Sequence, residues 1–561
     1  MLVAVAADAD GPGGRLLDLR ADGAAAGAPR AVADLASAIG EREAADHPRW
    51  VWPATAELYP ALLRAGVRVA RCHDLELTEA LLLGHDGRWG APRSLAAARA
   101  RRLGLPVPAD PPPRIAEPPG FAQAALFEAT TAPPVAAGFD VLEAVQLQFA
   151  DQQSRQTQTE FPGRFRLLVA AESAGALVGA EMGHAGLPWR ADVHRELLRE
   201  LLGAPQPVGP PRRLAELTAE INEAFGVRGL HPDSPAEVVK AFARAGVDVP
   251  NTRAWVLRKV DHPAVRPLLE YKELYRIWTA HGWTWLDAWV SEGRFRPEYV
   301  PGGVVSGRWA TRGGGALQVP KVVRRAVMAD PGWRFVVADA GQLEPRVLAA
   351  VSGDQRLAAA GAAGDLYAAL ATDSFGGDRA KAKIALLGAM YGQTGGAAIP
   401  ALAVLRQRYP VAFEFVEAAA RTGEAGGLVR SWLGRTCPPA SASWRDAGLD
   451  PPEETGPAEA QGGASGRARG RFTRNFVVQA SAAEWALVLL ATLRTALDGT
   501  KAEMVLFVHD EVVVHCPAEQ ADEVVAAVHA AAEQAGRLLF GPTTVRFPLD
   551  VSVVGAYTDA K

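Results

Sequence analysis

A proline-rich stretch that begins at Leu105 is the strongest local constraint on the fold of this chain. The sequence LPVPADPPPRIAEPPG carries seven prolines in 16 residues. Proline fixes φ and has no backbone N–H, so this stretch continues neither a helix nor a sheet. We therefore predict a linker over residues 111–140, with separately folded parts on either side. The length of 561 residues supports this division, because a chain this long does not fold around a single hydrophobic core.

The two parts differ in their hydrophobic pattern. Before the linker, apolar strand-like pieces at Leu2 to Ala6, Trp50 to Trp52 and Val67 to Ala70 alternate with alanine-rich helical pieces, which is an α/β pattern. After it, helical segments dominate up to about residue 300, and glycine-rich turns and short strands follow. The segment from Thr436 to Gly470 is rich in proline, glycine and serine, which predicts a loop or insertion. The predicted helices after the linker include Arg195 to Leu202, Pro235 to Val247 and His262 to Gly282.

Composition argues against several classes of protein. Three scattered cysteines support neither a disulfide framework nor a cysteine-based zinc site. The first residues have no basic region before a short apolar run, and no uncharged run approaches the length of a membrane span. We therefore expect a cytoplasmic protein with no membrane partner. The net charge of −4 argues against binding nucleic acid by overall charge, so such binding would use basic patches such as Gly466 to Arg474 and Lys321 to Arg325.

Four side chains in the segment DRAKAKIALLGAMYG follow one another at steps of four residues: Arg379, Lys383, Leu387 and Tyr391. Such steps place side chains on one slowly winding face of a helix. One interpretation is a surface helix with solvated cations and a half-buried apolar end. The other is a ligand face, since the two cations lie about 6 Å apart along the helix, which suits neighbouring phosphates. The stripe formed by these four side chains does not by itself distinguish the two interpretations.

Two aspartates occupy positions that suit ligands. The sequence WRFVVA predicts a strand that ends at Asp339 and passes into a helix, with Pro345 in the first turn of that helix. Asp510 lies with His509 and Glu511 at a corner between two apolar strands. The simpler interpretations are a helix cap and a solvated hairpin turn. The corner, however, lacks the glycine or asparagine that supplies positive φ in ordinary hairpins, which favours a functional site.

Two aspartates on separate strands and a cationic helix fit phosphoryl or nucleotidyl transfer. In such reactions the protein positions the reactants and neutralises charge, and paired metal ions act on the attacking and leaving oxygens. Mg²⁺ takes hard oxygen ligands, often one or two carboxylates plus substrate phosphates. Asp339 and Asp510 would supply the carboxylates, and Arg379 and Lys383 the charge for a triphosphate.

Three motifs, in this order, resemble the polymerase region of bacterial DNA polymerase I, the A family of DNA polymerases. DAGQLEPR (Asp339 to Arg346) resembles the first catalytic motif, the stripe resembles the finger-helix motif, and VHDE (Val508 to Glu511) resembles the second catalytic motif. Further matches occur in VSGRW, ALQVP, RFTRNFVVQASAAEWA and, for the thumb, HPAVRPLLEYKEL. The resemblance covers roughly residues 140–561.

The resemblance implies an α/β multidomain fold with right-hand polymerase architecture. A palm with an antiparallel sheet would carry a helical thumb and helical fingers, preceded by a small ribonuclease H-like α/β domain. The implied division is a degenerate 3′–5′ exonuclease-like domain at 1–110, the linker at 111–140 and the polymerase domain at 141–561. Within the last, the thumb would take about 210–300, the palm about 301–350 and 475–561, and the fingers about 351–470.

The resemblance also implies an activity, the template-directed addition of deoxynucleotides to a primer 3′-hydroxyl in DNA replication or repair. Two Mg²⁺ ions, for which Mn²⁺ can substitute, would be held by Asp339, Asp510 and the backbone of Ala340. Lys383 would also protonate the leaving group. The implied partners are primer-template DNA and dNTPs, and the implied protein is a monomer in the bacterial cytoplasm, associated with the nucleoid.

The remaining site residues are carried over from the same motifs. Glu344 matches the steric gate, a side chain that blocks the ribose 2′-hydroxyl. The residues implied to contact the nucleotide are Arg379, Lys383, Leu387, Tyr391 and Glu344. Those implied to contact the primer-template are Arg308, Arg471, Asn475, Gln479 and His509, with the last at the primer terminus. Glu511 and Gln342 are implied to have secondary roles.

Some positions depart from the family pattern. Ala340 and Gly341 stand where the family has tyrosine and serine, and Leu387 replaces the usual phenylalanine, which predicts altered sugar discrimination. In the amino-terminal part only Asp8 and Asp10 lie near a first strand, too few carboxylates for a two-metal nuclease. We therefore predict an exonuclease-like fold without its activity.

Other functions stay open at this point. A phage-type single-subunit RNA polymerase shares the aspartates and a similar helix, although Glu344 and His509 favour DNA synthesis. A non-catalytic DNA-binding scaffold derived from a polymerase would have no need of two metal-binding acids. A nuclease acting through the amino-terminal domain, or a bifunctional exonuclease and polymerase, would need more carboxylates there.

Overall fold

The structure is a computed structural model that describes residues 1–112, 138–206, 208–392, 398–439 and 464–560. Most of the predicted linker, and residues 440–463 of the predicted loop, lie outside the described residues. The end of the loop prediction is wrong, because a helix that begins at Ala464 already contains Gly470. Arg471, in the basic patch, therefore lies within this helix.

The amino-terminal part folds around one mixed sheet. Its strands are β1 (Leu2–Ala7), β2 (Gly14–Leu19), β3 (Arg30–Val32), β4 (Arg49–Trp52) and β5 (Arg71–Asp74). They lie in the order β3-β2-β1-β4-β5; β1, β4 and β5 are parallel, and β2 is antiparallel to both of its neighbours. The helices are α1 (Leu35–Asp46), α2 (Thr55–Arg64), α3 (Leu75–His85) and α4 (Leu95–Arg102). The predicted α/β pattern is confirmed.

The predicted strand at Val67 to Ala70 is wrong, since β5 begins only after it. The Val69 N–H donates to the Tyr59 hydroxyl, and the Ala70 N–H donates to Oε1 of Glu43 at 2.8 Å. Side chains, not a neighbouring strand, therefore satisfy these amides. The apolar pattern indicated the burial of Val69 correctly, but not the partners of the backbone.

Helices dominate residues 141–289, as predicted. They are α5 (Val141–Thr157), α6 (Pro162–Ala185), α7 (Ala191–Leu202), α8 (Arg212–Phe225), α9 (Pro235–Arg244), α10 (Ala254–Leu257), α11 (Val265–His281) and α12 (Trp283–Trp289). Ser234 caps α9 by accepting a hydrogen bond from the Glu237 N–H, and Pro235 takes the first helical position, where its missing N–H costs nothing. One short strand, β6 (Leu187–Pro188), lies between α6 and α7 and pairs with β8. The other short strands follow α12: β7 (Val290–Ser291), β8 (Arg294–Phe295), β9 (Glu298–Val300) and β10 (Ala310–Arg312).

The carboxyl-terminal part is built on a four-stranded antiparallel sheet, as predicted for the palm. Its strands are β11 (Trp333–Ala340), β12 (Glu503–Val508), β13 (Glu511–Pro517) and β14 (Leu549–Val554). The order β12-β13-β11-β14 places β11 between β13 and β14. The helices are α13 (Leu343–Val351), α14 (Gln355–Gly361), α15 (Leu366–Ser374), α16 (Arg379–Tyr391), α17 (Ala398–Arg408), α18 (Pro410–Glu424), α19 (Ala464–Ala496) and α20 (Ala521–Phe540).

The 33-residue helix α19 lies in the protein core. By length and composition, Gly466–Ala496 is apolar enough to cross a membrane, with a mean hydropathy of 1.7 over its most apolar window. In this fold, 83% of that window is buried inside the protein. Trp485 and Leu490 belong to the cluster that also includes side chains of α20 and the four-stranded sheet. Packing within the fold therefore accounts for the apolar character of α19.

Arg494, near the end of α19, attaches the amino-terminal part to the rest. Its guanidinium donates to the Val69 and Ala70 carbonyls and, at 2.6 Å, to Oε1 of Glu181 in α6. Burial acts to raise the pKa of Glu181, but Arg494 and Arg68 outweigh it and hold that pKa below its usual range. Removing either partner of this buried ion pair would leave an uncompensated charge in the protein interior and would destabilise the fold.

Candidate active site

The hairpin of β12 and β13 brings Asp510 next to the strand that carries Asp339. Val508 pairs with Glu511 across the hairpin, which leaves His509 and Asp510 as its corner. The Ala340 N–H donates to the Asp510 carbonyl at 3.0 Å, and Asp339 is in register with Glu511. Asp510, at the corner where β13 begins, therefore lies next to β11, the strand that carries Asp339, although the two aspartates are 171 positions apart in the chain.

The residue with a positive φ at the corner is a histidine, and not glycine or asparagine. His509 has φ 57°, in the left-handed region that glycine and asparagine usually occupy. The sequence lacks those residues there, and the structure places the histidine in the strained position itself. Strain of this kind is characteristic of functional sites, because the surrounding structure must hold it in place.

Asp339 does not cap the following helix. The strand predicted to end there runs on through Ala340, so Asp339 is paired on both sides, with Glu511 and with Asp550. The residue that precedes α13 is Gln342, at φ 60°, and its side chain makes no capping bond. The helix-cap interpretation of Asp339 is therefore wrong. Pro345 lies in the first turn of α13, as predicted.

Negative charge crowds the site. Burial raises the pKa of Asp510 to about 6; the carboxylates of Glu344 and Asp339 act in the same direction, while Arg308 opposes them. A divalent cation would relieve this repulsion, and carboxylate oxygens are the ligands that Mg²⁺ prefers. Within the described residues no group of three or more histidine, cysteine or acidic side chains is arranged around a metal position. Two carboxylates are sufficient for Mg²⁺ where backbone and substrate oxygens complete its coordination.

The predicted stripe helix is confirmed as α16. Asp378 caps it by accepting a hydrogen bond from the Lys381 N–H, and Gly392 ends it at φ 67°. Arg379 and Lys383 are exposed, whereas Leu387 and Tyr391 are partly buried. This pattern of exposure fits both a solvated surface helix and a ligand face. The contacts of the stripe residues distinguish the two.

Those contacts connect the stripe to the acidic site. The Tyr391 hydroxyl donates to Oε2 of Glu344 at 2.6 Å, and Arg308 donates to Oε1 of the same carboxylate at 2.7 Å. Glu344 is buried, and burial together with this carboxylate raises the pKa of Tyr391. The end of α16 therefore faces Glu344, which in turn faces Asp510. This arrangement favours the ligand-face interpretation over a purely solvated helix.

Three residues predicted to contact DNA form a second stripe, on α19. Arg471, Asn475 and Gln479 follow one another at steps of four, and they are exposed or partly buried. A Cβ added at Gly392 would lie 3.0 Å from Cγ of Arg471, so this stripe begins beside the end of α16. The buried Oδ1 of Asn475 has no hydrogen-bond partner among the described residues.

Several residues at the site were missed by sequence reasoning. The Tyr557 hydroxyl donates to Glu511 Oε1, and the Arg324 guanidinium lies 5.0 Å from the centroid of the Tyr557 ring. Asp365 forms an ion pair with Arg379. Arg324 belongs to the basic patch Lys321 to Arg325, but no local pattern indicates its contact with Tyr557. These pairings join distant segments, so only the tertiary fold reveals them.

Comparison with known proteins places these features in a family. The sequence model of DNA polymerase family A matches residues 211–558. DNA polymerase I of Chloroflexus aurantiacus is 26% identical over 294 residues, which are 46% of this chain and 29% of the relative. The thermostable DNA polymerase I of Thermus aquaticus is 28% identical over 313 residues, which are 52% of this chain and 36% of the relative. The chain spans about a third of the length of these curated relatives.

A solved structure extends the comparison to the fold. The POL domain of Pol1 from M. smegmatis, in complex with DNA primer-template and dNTP, matches with a TM-score of 0.68 and 18% sequence identity. The match covers 99% of this chain and 95% of that one. The predicted polymerase architecture is thereby confirmed, while the domain boundaries stay a prediction. Because the family match covers more than half of the chain, and the fold brings the three motifs to one site, this chain belongs to DNA polymerase family A.

Proposed function

We propose that this chain is a template-directed DNA polymerase that adds deoxynucleotides to a primer 3′-hydroxyl. One observation carries the proposal: the hydrogen bonds of Glu344 connect the stripe helix to the site where Asp510, at the hairpin corner, lies next to the strand of Asp339. That arrangement combines acids for a metal with cations for a triphosphate, which is what nucleotidyl transfer requires. Family membership supports the same activity.

In the proposed reaction the primer 3′-hydroxyl gives its proton to solvent, its oxygen forms a bond to the α-phosphorus, and the bond from that phosphorus to the pyrophosphate oxygen breaks. Bound Mg²⁺ ions, or Mn²⁺ in their place, would lower the pKa of the primer hydroxyl and neutralise charge on the pyrophosphate. Asp339, Asp510 and the Ala340 carbonyl would hold them. Arg379 and Lys383 would bind the triphosphate, and Lys383 would give a proton to the departing pyrophosphate.

The partners and setting in this proposal follow from the same chemistry. Primer-template DNA would lie along Arg471, Asn475 and Gln479 on α19, with the primer end near His509 and Arg308. Burial, Arg308 and Arg324 lower the pKa of His509, so its ring is neutral at physiological pH and can approach the primer terminus without added charge. We also propose, from the family resemblance alone, that the protein is a monomer in the bacterial cytoplasm, associated with the nucleoid.

Primer extension tests the proposal. The full chain is incubated with a labelled primer on a longer DNA template, one dNTP at a time, with Mg²⁺ or Mn²⁺. We expect the primer to lengthen by one nucleotide only when the dNTP pairs with the template base. No extension with either ion, or extension that ignores the template, would contradict the proposed function.

The Leu387→Phe variant should change how the site discriminates between sugars. Leu387 lies one turn before Tyr391 on the partly buried face of α16. An aromatic ring there would offer a flat face to the nucleotide, which an aliphatic side chain cannot. We expect the ratio of dideoxy to deoxy incorporation to change severalfold, measured by competition on one template. Val411→Phe, at an exposed position of α18, is the matched control. Identical ratios for Leu387→Phe and the parent would refute this role.

The amino-terminal sheet should show no metal-dependent nuclease activity. Asp8 and Asp10 are exposed in the connection between β1 and β2. The nearby buried acids serve the fold: Asp74 caps α3, and Glu43 accepts from the Trp50 indole at 2.6 Å. We expect no shortening of a mismatched primer in Mg²⁺ or Mn²⁺. Shortening that the Asp8→Ala variant abolishes would prove this prediction wrong.

A further inference from the structure

A chain of hydrogen bonds connects the turn between β11 and α13 to the first residue of the stripe helix. Nε2 of Gln342 donates to Oδ1 of Asp365 at 2.8 Å, and Nε of Arg379 donates to Oδ2 of Asp365, also at 2.8 Å. Gln342 lies three positions after Asp339 in the chain. This relay of Gln342, Asp365 and Arg379 therefore begins just after the strand that carries a proposed metal ligand and ends at the cation proposed for the triphosphate.

The central residue of this relay is itself held on several sides. Asp365 caps α15 by accepting a hydrogen bond from the Ala368 N–H at 3.0 Å, and the Leu366 N–H donates to Oε1 of Gln342 at 2.8 Å. Burial acts to raise the pKa of Asp365, but the bonds from Arg379, Ala368 and Gln342 outweigh it and lower that pKa to about 2. At neutral pH, Asp365 is therefore a fixed negative charge.

Asp365 contacts only part of the Arg379 guanidinium. Nε of Arg379 donates the hydrogen bond to Asp365. The two terminal nitrogens of the guanidinium make no hydrogen bond to Asp365 or Gln342 in the described part of the chain. The guanidinium carbon lies 5.6 Å from the centroid of the Tyr367 ring, which is buried. Asp365 and Tyr367 thus support the guanidinium from α15, while the Arg379 side chain stays 53% exposed. Two terminal NH₂ groups in one plane suit a bidentate bond to phosphate oxygens.

We propose that Asp365, supported by Gln342, is a positioning residue that orients Arg379 for the triphosphate of the incoming nucleotide. The inference rests on the proposed polymerase function. An arginine side chain that is free to rotate loses conformational freedom when it binds phosphate, and that loss weakens binding. Asp365 and the Tyr367 ring restrict the side chain before the nucleotide arrives. Asp365 therefore strengthens nucleotide binding without touching the nucleotide.

The Asp365→Asn variant separates this role from a structural one. Asparagine caps helices about as well as aspartate, so the start of α15 is kept while the charge is lost. Asp373→Asn is a closely matched control on the same helix. Asp373 forms an ion pair with Arg356 at 2.7 Å and is 34% exposed, against 39% for Asp365.

The experiment measures kcat and KM for single-nucleotide insertion by the full chain. We expect Asp365→Asn to raise KM for the dNTP about three- to fivefold, the range of an exposed ion pair, with kcat nearly unchanged. Asp373→Asn should leave both values unchanged. In an Arg379→Gln background, Asp365→Asn should add nothing further, because its partner is already gone. If Asp365→Asn fails to fold, Gln342→Glu, which loses the donor to Asp365, should raise KM in the same direction.

Three results would overturn the positioning role of Asp365. An unchanged KM, a lower KM or an effect that persists without Arg379 would overturn the positioning role; a lower KM would mean that Asp365 competes with the triphosphate for Arg379. A parent protein that extends primers normally would in those cases leave the proposed function intact. A parent protein that extends no primer would contradict the proposed function and this inference with it.

Discussion

The Asp510→Asn variant is expected to lose primer extension by about 1,000-fold or more. The carboxylate would be replaced by a neutral amide, which binds a divalent cation weakly, and several kcal/mol of transition-state stabilisation would be lost. Single-turnover extension in Mg²⁺ measures the effect. Binding of the primer-template, measured by fluorescence anisotropy, should stay within about threefold of the parent value, since Asp510 is proposed to hold metal and not DNA.

The same variant is expected to be more stable than the parent in the absence of divalent cations. The pKa of Asp510 is about 6 in the folded protein, above the ordinary value of 3.8. Between pH 3.8 and 6 the folded state therefore binds more protons than the unfolded state, and the contribution of Asp510 to stability falls as pH rises. Above pH 6, Asp510→Asn should raise the free energy of unfolding by about 2 kcal/mol, a value that allows for partial exposure to solvent. The gain should vanish below pH 3.8.

Urea unfolding at pH 4 and pH 8, with a metal chelator present, measures this difference. Asp330→Asn, at an acid that pairs with Arg294 away from the corner, is the control and should not be stabilised at pH 8. Extension by Asp510→Asn at the parent rate, or equal stability of variant and parent at pH 8, would contradict the assignment of Asp510 as a crowded carboxylate that needs a cation.

The Glu344→Ala variant is expected to raise ribonucleotide incorporation by about 10- to 100-fold relative to deoxynucleotides. Glu344 is buried and held by Tyr391 and Arg308, so it cannot easily move aside for a 2′-hydroxyl. Forcing an extra group into a packed site costs about 1–3 kcal/mol, which is about 5- to 150-fold in rate and includes the expected range. Competition between a ribonucleotide and the matching deoxynucleotide on one template measures the ratio.

Two further variants identify the cause of that change. Glu344→Gln keeps the volume of the side chain and should keep most of the discrimination. Tyr391→Phe removes the hydroxyl that holds Glu344 but leaves the ring, so discrimination should weaken by less than in Glu344→Ala. An unchanged ratio in Glu344→Ala would remove the steric-gate assignment. A full loss of discrimination in Glu344→Gln would assign it to charge and not to volume.

Local patterns in the sequence predicted the parts of the site that depend on local geometry. The four-residue stripe predicted α16 with its two exposed cations. The apolar segments on either side of the VHDE corner predicted the hairpin that carries Asp510. The alternation of strands and helices gave the amino-terminal sheet. In each case the periodicity of neighbouring residues decides the structure, so a single sequence carries the signal.

Contacts between distant segments could not be predicted in that way. Glu344 meets Arg308 36 positions earlier and Tyr391 47 positions later, and nothing in the pattern of any one segment indicates these partners. The same is true of Asp365 with Arg379 and of Tyr557 with Glu511. At Val67 to Ala70, side-chain acceptors replaced a strand partner. At the corner, the left-handed φ of His509 is a strain that tertiary structure imposes against local preference.

The central claim is that Asp339 and Asp510 together hold divalent ions at the point of nucleotidyl transfer. Anomalous diffraction from crystals grown with Mn²⁺, a primer-template and an unreactive dNTP analogue tests it most directly. We predict anomalous peaks within coordination distance, roughly 2.0 to 2.3 Å, of carboxylate oxygens of both aspartates. These peaks should be lost in crystals of Asp510→Asn. Peaks elsewhere only, or carboxylates too far apart to share the ions, would contradict the account.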